Sequence, residues 1–362
     1  MYDCVVVGGG LIGMMTARQL GREGMKVLVI DQGPLGSESS WAGGGILSPL
    51  YPWRYSAPIS ELALYSHQHY QAYAEALHEE SGIDPQWTRT GLLILDTDER
   101  QAAVDWATKY HWTLQALKHV DEIKQLEPGL ATTKASAFWL PEVAQLRNPR
   151  LVKSLKGSLE HYQIDYAEHE AVLTLEQSDH RISGVRTEKR LIPADSVIVT
   201  AGAWSTAILN NAGVNVAVEP VRGQMLIFKA EPGVVNHTVL AQDHYLIPRR
   251  DGRVLIGSTL EYVGFDKSTT AVAREELTQR AIALIPELAQ YPIEKHWSGL
   301  RPGSPEGMPY IGADKDVEGL YYNCGHFRNG VILGLASVTL LTDILHNRPA
   351  FMDAESFLAV GH

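Results

Sequence analysis

The chain has 362 residues, 45% of them hydrophobic, and a formal net charge of −11. That length predicts two domains or one large one with a full core, and the acidic balance argues against nucleic acid or an anionic membrane as partner. Only two cysteines occur, Cys4 and Cys324, so no disulfide framework, Cys-x-x-Cys redox pair or cysteine metal cluster is expected.

In chain order, residues 4–7 form a short apolar, β-branched run that reads as a buried strand. Gly8, Gly10 and Gly13 follow as G-x-G-x-x-G. The first glycine suits a tight turn, the second a close backbone approach to a pyrophosphate, the third close packing of helix on strand. A helix is predicted over 11–23, stopped by Gly24, then a strand over 26–30 that ends at Asp31. A carboxylate there accepts hydrogen bonds from ribose hydroxyls, and the pyrophosphate sits on the free N–H groups of the helix start. Strand, glycines, helix, strand and acid in register make a dinucleotide fingerprint. The N-terminal run lacks a basic leader and is broken by three glycines, so it reads as a strand and not a signal peptide. The late apolar stretch 331–345 carries Ser337, Thr339, Thr342 and Asp343 and reads as too short and polar to span a bilayer. A soluble cytoplasmic protein is expected.

Ser39 and Ser40 can donate to phosphate oxygens, and Gly43, Gly44 and Gly45 let a flat ring approach the backbone. A helix is predicted over 59–80; its His67, His69 and His78 read as surface or packing residues. Strands at 90–95 and 136–140 and helices at 98–110 and 123–126 form a block without a glycine fingerprint. Asn148 reads as an N-cap before Pro149, opening a helix to 162. Strands at 165–168, 171–176 and 184–187 precede a buried strand over 196–204. Strands at 219–228, 239–247 and 254–260, then a helix at 270–285, predict a second, largely antiparallel sheet. A last helix runs from Gly330 to about His346. The expected fold class is α/β: a discontinuous Rossmann-type domain (1–85, 145–218 and 298–362) and a largely antiparallel α+β substrate domain (86–144 and 219–297).

One fingerprint suggests one tightly bound dinucleotide, reduced by a substrate and reoxidised by something else. Arg301, in a Gly/Pro-rich loop, reads equally as a fork for a carboxylate or as a surface ion pair. Arg328, between Phe327 and Asn329, leaves the same choice, and Tyr245 suits either a phenol hydrogen bond or core packing.

The order of motifs resembles the D-amino acid oxidase family of flavoproteins over nearly the whole chain. The residues that carry the resemblance are the 8–13 glycine loop with Asp31, Ser39-Ser40, the glycines 43–45, and the runs 200–204, 244–249, 299–303, 309–312 and 325–332. The most specific are Gly-Leu-Arg-Pro-Gly and Gly-His-Phe-Arg-Asn-Gly. The resemblance implies non-covalent FAD held by Leu11, Ile12, Asp31, Gln32, Ser39, Ser40, Gly44, Gly45, Ile46, Val172 and the run His326, Phe327, Arg328, Asn329, Gly330, Val331 and Ile332. It implies a substrate carboxylate on Arg301, with Tyr245 helping and Arg328 lining the site. The implied reaction is oxidative deamination of glycine, sarcosine or small D-amino acids by molecular oxygen, giving 2-oxo acid, ammonia or amine, and hydrogen peroxide. A homotetramer feeding thiamine biosynthesis is implied too. Asp31 replaces a more usual glutamate, Leu260 a frequent methionine and Asp243 an occasional histidine, which bears on substrate range. Sarcosine oxidase-like and D-amino acid dehydrogenase-like enzymes are the alternatives. A flavin-binding regulator without turnover belongs to a different class, and a tRNA-modifying module is disfavoured by the acidic balance.

Overall fold

A computed structural model describes residues 1–95, 98–134 and 136–359. Positions 96, 97, 135 and 360–362, which the expected domain segments include, lie outside the described residues.

The apolar run at the N-terminus becomes the strand Tyr2–Val7, paired in parallel with Val27–Ile30 on one side and Leu191–Val199 on the other. Its side chains alternate between two cores. Cys4 and Val6 pack with the helices Leu11–Arg22, Ala57–Ser81, Asn148–His161 and Gly330–Leu345. Val5 and Val7 pack under the ribbon formed by Val172–Ser178 and Arg181–Thr187. Burial on both faces is why the strand reads as uninterrupted apolar sequence. The spatial order is Tyr310–Ala313, Leu320–Cys324, Leu191–Val199, Tyr2–Val7, Val27–Ile30 and Asp165–Ala167.

A second sheet runs Ile293–Gly303, Glu219–Phe228, Val254–Gly257, His244–Pro248, Thr238–Ala241, Leu92–Leu95, Ala137–Leu140 and Gln115–Leu117. It is antiparallel except where Thr238–Ala241 runs parallel to Leu92–Leu95. The architecture is a mixed α/β fold with a largely antiparallel second sheet.

Several local expectations change. The strand predicted over 239–247 is a hairpin, turning at Gln242 with φ 53° and setting Leu240 opposite Tyr245. The polar Gln242-Asp243 between apolar residues suits a strand as well as a turn, which hid the hairpin. The strand predicted to reach 260 pairs only to Gly257, and the one predicted to reach 204 ends at Val199 before a 3₁₀ turn at Gly202–Trp204. The boundary expected at 298 falls inside Ile293–Gly303, where Arg301 pairs with Val221 and Gly299 with Gly223, so residues 298–303 belong to the second sheet. Asn148 is not an N-cap: Arg147 caps that helix, and Asn148 Nδ2 donates to the Ser40 carbonyl at 2.8 Å. The last apolar segment is also longer than expected. Helical residues Phe327–Leu345 are, among the described residues, one run long and apolar enough to cross a membrane, but more than half of that run is buried against the helices Leu11–Arg22 and Ala57–Ser81.

Candidate active site

A cavity of about 1090 Å³ opens where the carboxyl ends of the first sheet's strands meet the face of the second sheet. That volume exceeds what a drug-sized ligand needs.

The first-sheet half is built on glycine geometry. Gly8 has φ +106°, and a Cβ there would lie 2.6 Å from the Thr200 carbonyl oxygen. A Cβ on Gly13 would lie 1.9 Å from the Gly8 carbonyl oxygen. A Cβ on Gly10, in contrast, would face the cavity with only Ser40 Oγ near it, at 3.1 Å. Neighbouring side chains hold the loop. Thr200 Oγ1 donates to the Gly8 carbonyl at 2.7 Å. Asp31 accepts from the Gly9 N–H at 2.7 Å and the Gly33 N–H at 2.8 Å. Burial raises the Asp31 pKa more than these two donors lower it. Ser40 Oγ accepts from the Leu11 N–H at 2.7 Å, capping the helix from another segment and leaving the hydroxyl hydrogen free to donate.

The glycines 43–45 are pressed between elements. A Cβ on Gly45 would lie 2.1 Å from the Leu146 carbonyl oxygen, and one on Gly44 2.7 Å from Ile247. Buried Arg249 ties them down: its Nη2 donates to the Gly44 carbonyl at 2.8 Å and its Nη1 to the Leu146 carbonyl at 3.0 Å. Burial pulls this guanidinium down to about 9.

The second-sheet half carries Arg301 and Tyr245. Arg301 Nη1 donates to the Thr259 carbonyl at 3.1 Å and Nη2 to Ser258 Oγ at 2.5 Å. Its guanidinium lies over Gly223, where a Cβ would come within 2.2 Å of both terminal nitrogens. Burial lowers the Arg301 pKa; the Tyr245 phenol works the other way and Arg328 adds to the lowering. No carboxylate forms an ion pair with Arg301 among the described residues. Tyr245 is buried, packed on Gly257 and Gly44, with its hydroxyl 3.9 Å from Met225 Sδ. Arg328 is exposed at the rim, its guanidinium 5.4 Å from the Phe327 ring centroid.

Most of the residues singled out in the sequence meet in this one cavity: Gly8, Gly10, Leu11, Ile12, Asp31, Gln32, Ser39, Ser40, Gly44, Gly45, Ile46, Val172, Tyr245, Arg301 and the run 326–331. Two do not line it. Gly13 serves the helix–strand contact, and Ile332 points into the core, 1% exposed, because the helix turns its side chain away from the cavity. Asn323 is a lining residue the sequence reading did not anticipate. It is fully buried in the strand Leu320–Cys324 with neither amide heteroatom paired. An asparagine in an otherwise apolar strand just before a glycine was the available signal. Asn329 Nδ2 and His244 Nδ1 are also buried, unpartnered and on residues that line the cavity.

The family model for FAD dependent oxidoreductases matches residues 3–344. The chain belongs to this family. Across 361 residues it is 45% identical to glycine oxidase of Pseudomonas putida, covering 99% of this chain and 98% of that protein. The crystal structure of glycine oxidase from Geobacillus kaustophilus superposes with a TM-score of 0.94 at 29% identity, covering 100% of this chain and 99% of the other. The structure of iminodiacetate oxidase from Chelativorans superposes with a TM-score of 0.87 at 26% identity, covering 99% of each. The protein is an FAD-dependent amino-acid oxidase of the glycine oxidase type.

The cavity's chemistry fits FAD. The glycine loop offers main-chain N–H groups at a helix start, where an anion is favoured. The glycines 43–45 bring bare main chain to the cavity wall, and the unpaired amides of Asn323 and Asn329 line the cavity too. Such buried polar groups normally find a partner. The N-terminus of the helix Gly330–Leu345 adds a second positive dipole end at the cavity wall.

Proposed function

We propose that this oxidase deaminates glycine and other small amino acids or amines, sarcosine and small D-amino acids among them, with Arg301 as the fork for the substrate carboxylate. The observation that carries this reading is the setting of Arg301. It shares a cavity with the dinucleotide loop and is held by two neutral acceptors, a hydroxyl and a carbonyl. Its positive charge is therefore uncompensated by any ion pair among the described residues, and its remaining N–H groups can take a carboxylate bidentately. Bound FAD supplies the redox chemistry, taking an electron pair from the substrate and passing it to oxygen. The chain's own task is orientation. Arg301 fixes one end of the substrate, and Tyr245 and Met225 beside it give the pocket an apolar wall.

The likeness to iminodiacetate oxidase supports a range that includes N-substituted glycines. The resemblance of the motifs supports a homotetramer, a cytoplasmic setting and a role in thiamine biosynthesis. The two sheets support a division into an FAD unit (1–85, 145–218 and 304–362) and a substrate unit (86–144 and 219–303). The test of the activity is the visible spectrum of the purified holoprotein under anaerobic conditions. Glycine is expected to bleach the flavin bands, with recovery and peroxide on admitting air. A spectrum unchanged by glycine, sarcosine and D-alanine would overturn the reading.

A further inference from the structure

Beside Arg301 lies a carboxylate that the reaction does not require. Glu261 lines the cavity and is about one-quarter exposed. Its two oxygens are fully occupied. Oε1 accepts from Thr259 Oγ1 at 2.5 Å and from Gln224 Nε2 at 2.8 Å. Oε2 accepts from Arg222 Nη2 at 2.5 Å and Nε at 3.1 Å. Burial works against its charge, but the bonds from Thr259, Arg222 and Gln224 outweigh it and hold the carboxyl below its usual range. It is therefore ionised at neutral pH.

These bonds converge on one short segment. The strand Val254–Gly257 has ended, so residues 258–261 lack a continuous ladder to fix them. Four contacts take its place: the two backbone bonds between Glu261 and Arg222, at 2.9 and 3.0 Å, the Thr259 N–H donating to the Gln224 carbonyl at 3.3 Å, and the Gln224 N–H donating to Thr259 Oγ1 at 2.9 Å. That segment presents the two acceptors of Arg301, the Ser258 hydroxyl and the Thr259 carbonyl. The guanidinium also lies over Gly223, which offers no side chain to hold it, and beside the Tyr245 phenol.

We propose that Glu261 is a positioning residue: acting through Thr259, it holds the guanidinium of Arg301 ready for the substrate carboxylate. The proposal rests on the reading of Arg301 as the carboxylate fork. An arginine held in advance loses less rotamer freedom when the ligand arrives, so the benefit appears in ligand affinity. Removing either side chain breaks the Thr259–Glu261 bond and loosens the segment, while its backbone bonds to Arg222 and Gln224 remain; removing the Thr259 hydroxyl also takes the acceptor of the Gln224 N–H.

The experiment titrates holoenzyme with glycolate, a carboxylate without an amine, and follows the shift in flavin absorption; the limiting rate of anaerobic flavin reduction by glycine is measured alongside. Glu261→Ala and Thr259→Val are each expected to weaken glycolate about tenfold, as for loss of a hydrogen bond to a charged group. The limiting reduction rate should change by less than about threefold, since the change falls on affinity. The double variant should be no weaker than Thr259→Val, because the Thr259–Glu261 bond is already broken there. Thr259→Ser, which keeps the hydroxyl, should restore affinity to within about twofold. Thr259→Val binding glycolate as tightly as wild type, or additive losses in the double variant, would overturn the proposal. If Glu261→Ala does not fold, the Thr259→Val and Thr259→Ser pair carries the test alone. Arg301→Lys separates the two readings. If it leaves glycolate binding unchanged, the carboxylate fork itself is wrong; if it alone weakens binding, only the relay is wrong.

Discussion

Arg301 and His326 are both basic side chains set into the protein, Arg301 part-buried and His326 fully so, yet the structure sets them opposite tasks. Arg301 keeps its charge because arginine gives up its proton only far above neutral pH. Lysine at that position retains the charge and loses the fork, so Arg301→Lys should keep its FAD and lose roughly 100-fold or more in kcat/KM for glycine; steady-state oxygen uptake and the flavin spectrum read the two. His326 is 2% exposed, with Nε2 3.0 Å from Ser337 Oγ, and burial pushes its pKa down to about 3. It is neutral in the folded protein. In the unfolded chain it titrates near its ordinary value of 6.5. Below that value the unfolded state takes up a proton the folded state refuses. The stability held by the neutral ring is complete above pH 6.5 and drains away as pH falls toward 3, by up to about 1.4 kcal/mol per pH unit. Urea unfolding of the holoprotein at pH 7.0 and 5.5 should show that loss, and His326→Gln, which has no such titration, should show a smaller one.

At the scale of the element, two glycines make opposite predictions for the same substitution. A Cβ at Gly13 would strike the Gly8 carbonyl oxygen and the Thr200 hydroxyl, at 1.9 and 2.6 Å, so the helix Leu11–Arg22 would have to move off the strand Tyr2–Val7. Gly13→Ala should therefore purify largely without FAD and with a lowered melting temperature, since overpacking typically costs 1–3 kcal/mol, about the scale of a single core defect. At Gly223 the atoms in the way are the tip of the Arg301 side chain, at 2.2 Å. A side chain can swing aside where a backbone cannot. Gly223→Ala should fold, bind FAD and show normal flavin bands, while KM for glycine rises about tenfold or more because the fork is displaced. Loss of FAD from Gly223→Ala, or an unchanged KM, would count against this account of the strand Glu219–Phe228.

In the whole molecule, two sheets with separate cores share one cavity. Ion pairs at the surface cross between the two units, among them Lys267 to Glu38 at 2.8 Å, Arg147 to Asp251 and Arg250 to Asp84 at 2.7 Å, and Arg54 to Glu99 at 2.8 Å, and so do the ring contacts Trp204–Phe265 at 5.3 Å and Trp41–Trp297 at 5.8 Å. An exposed ion pair of this kind contributes about 0–1 kcal/mol. The cofactor is a larger tie than any one such pair. A ligand at one hundred times its dissociation constant stabilises the folded state by about 2.7 kcal/mol. Stripping FAD should lower the melting temperature by several degrees and readmitting it should restore the value, whereas Lys267→Ala should shift it by about a degree or less in differential scanning calorimetry.

The sequence by itself determined those parts of the protein whose physics is local. Three glycines at fixed spacing, an apolar run before them and Asp31 after them specify strand, turn, helix and strand, because each requirement is met within a few residues. The likeness of motifs carried Arg301 and Tyr245 onto one site. What only the tertiary structure decided were pairings across long separations. Thr200 pinning Gly8, Asn148 reaching Ser40 and Arg249 bracing Gly44 join residues over a hundred positions apart, or close to two hundred. The turn at Gln242 was hidden because a polar pair between apolar residues suits a strand as well as a hairpin, and cross-strand pairing chose the hairpin. Ile332 continues a run that lines the cavity but faces the core, since a helix turns each successive side chain by about 100° and only packing sets the phase. The relay through Glu261 is of the same kind: its partners Arg222, Gln224 and Arg301 lie on two neighbouring strands, and their approach exists only once the second sheet has formed.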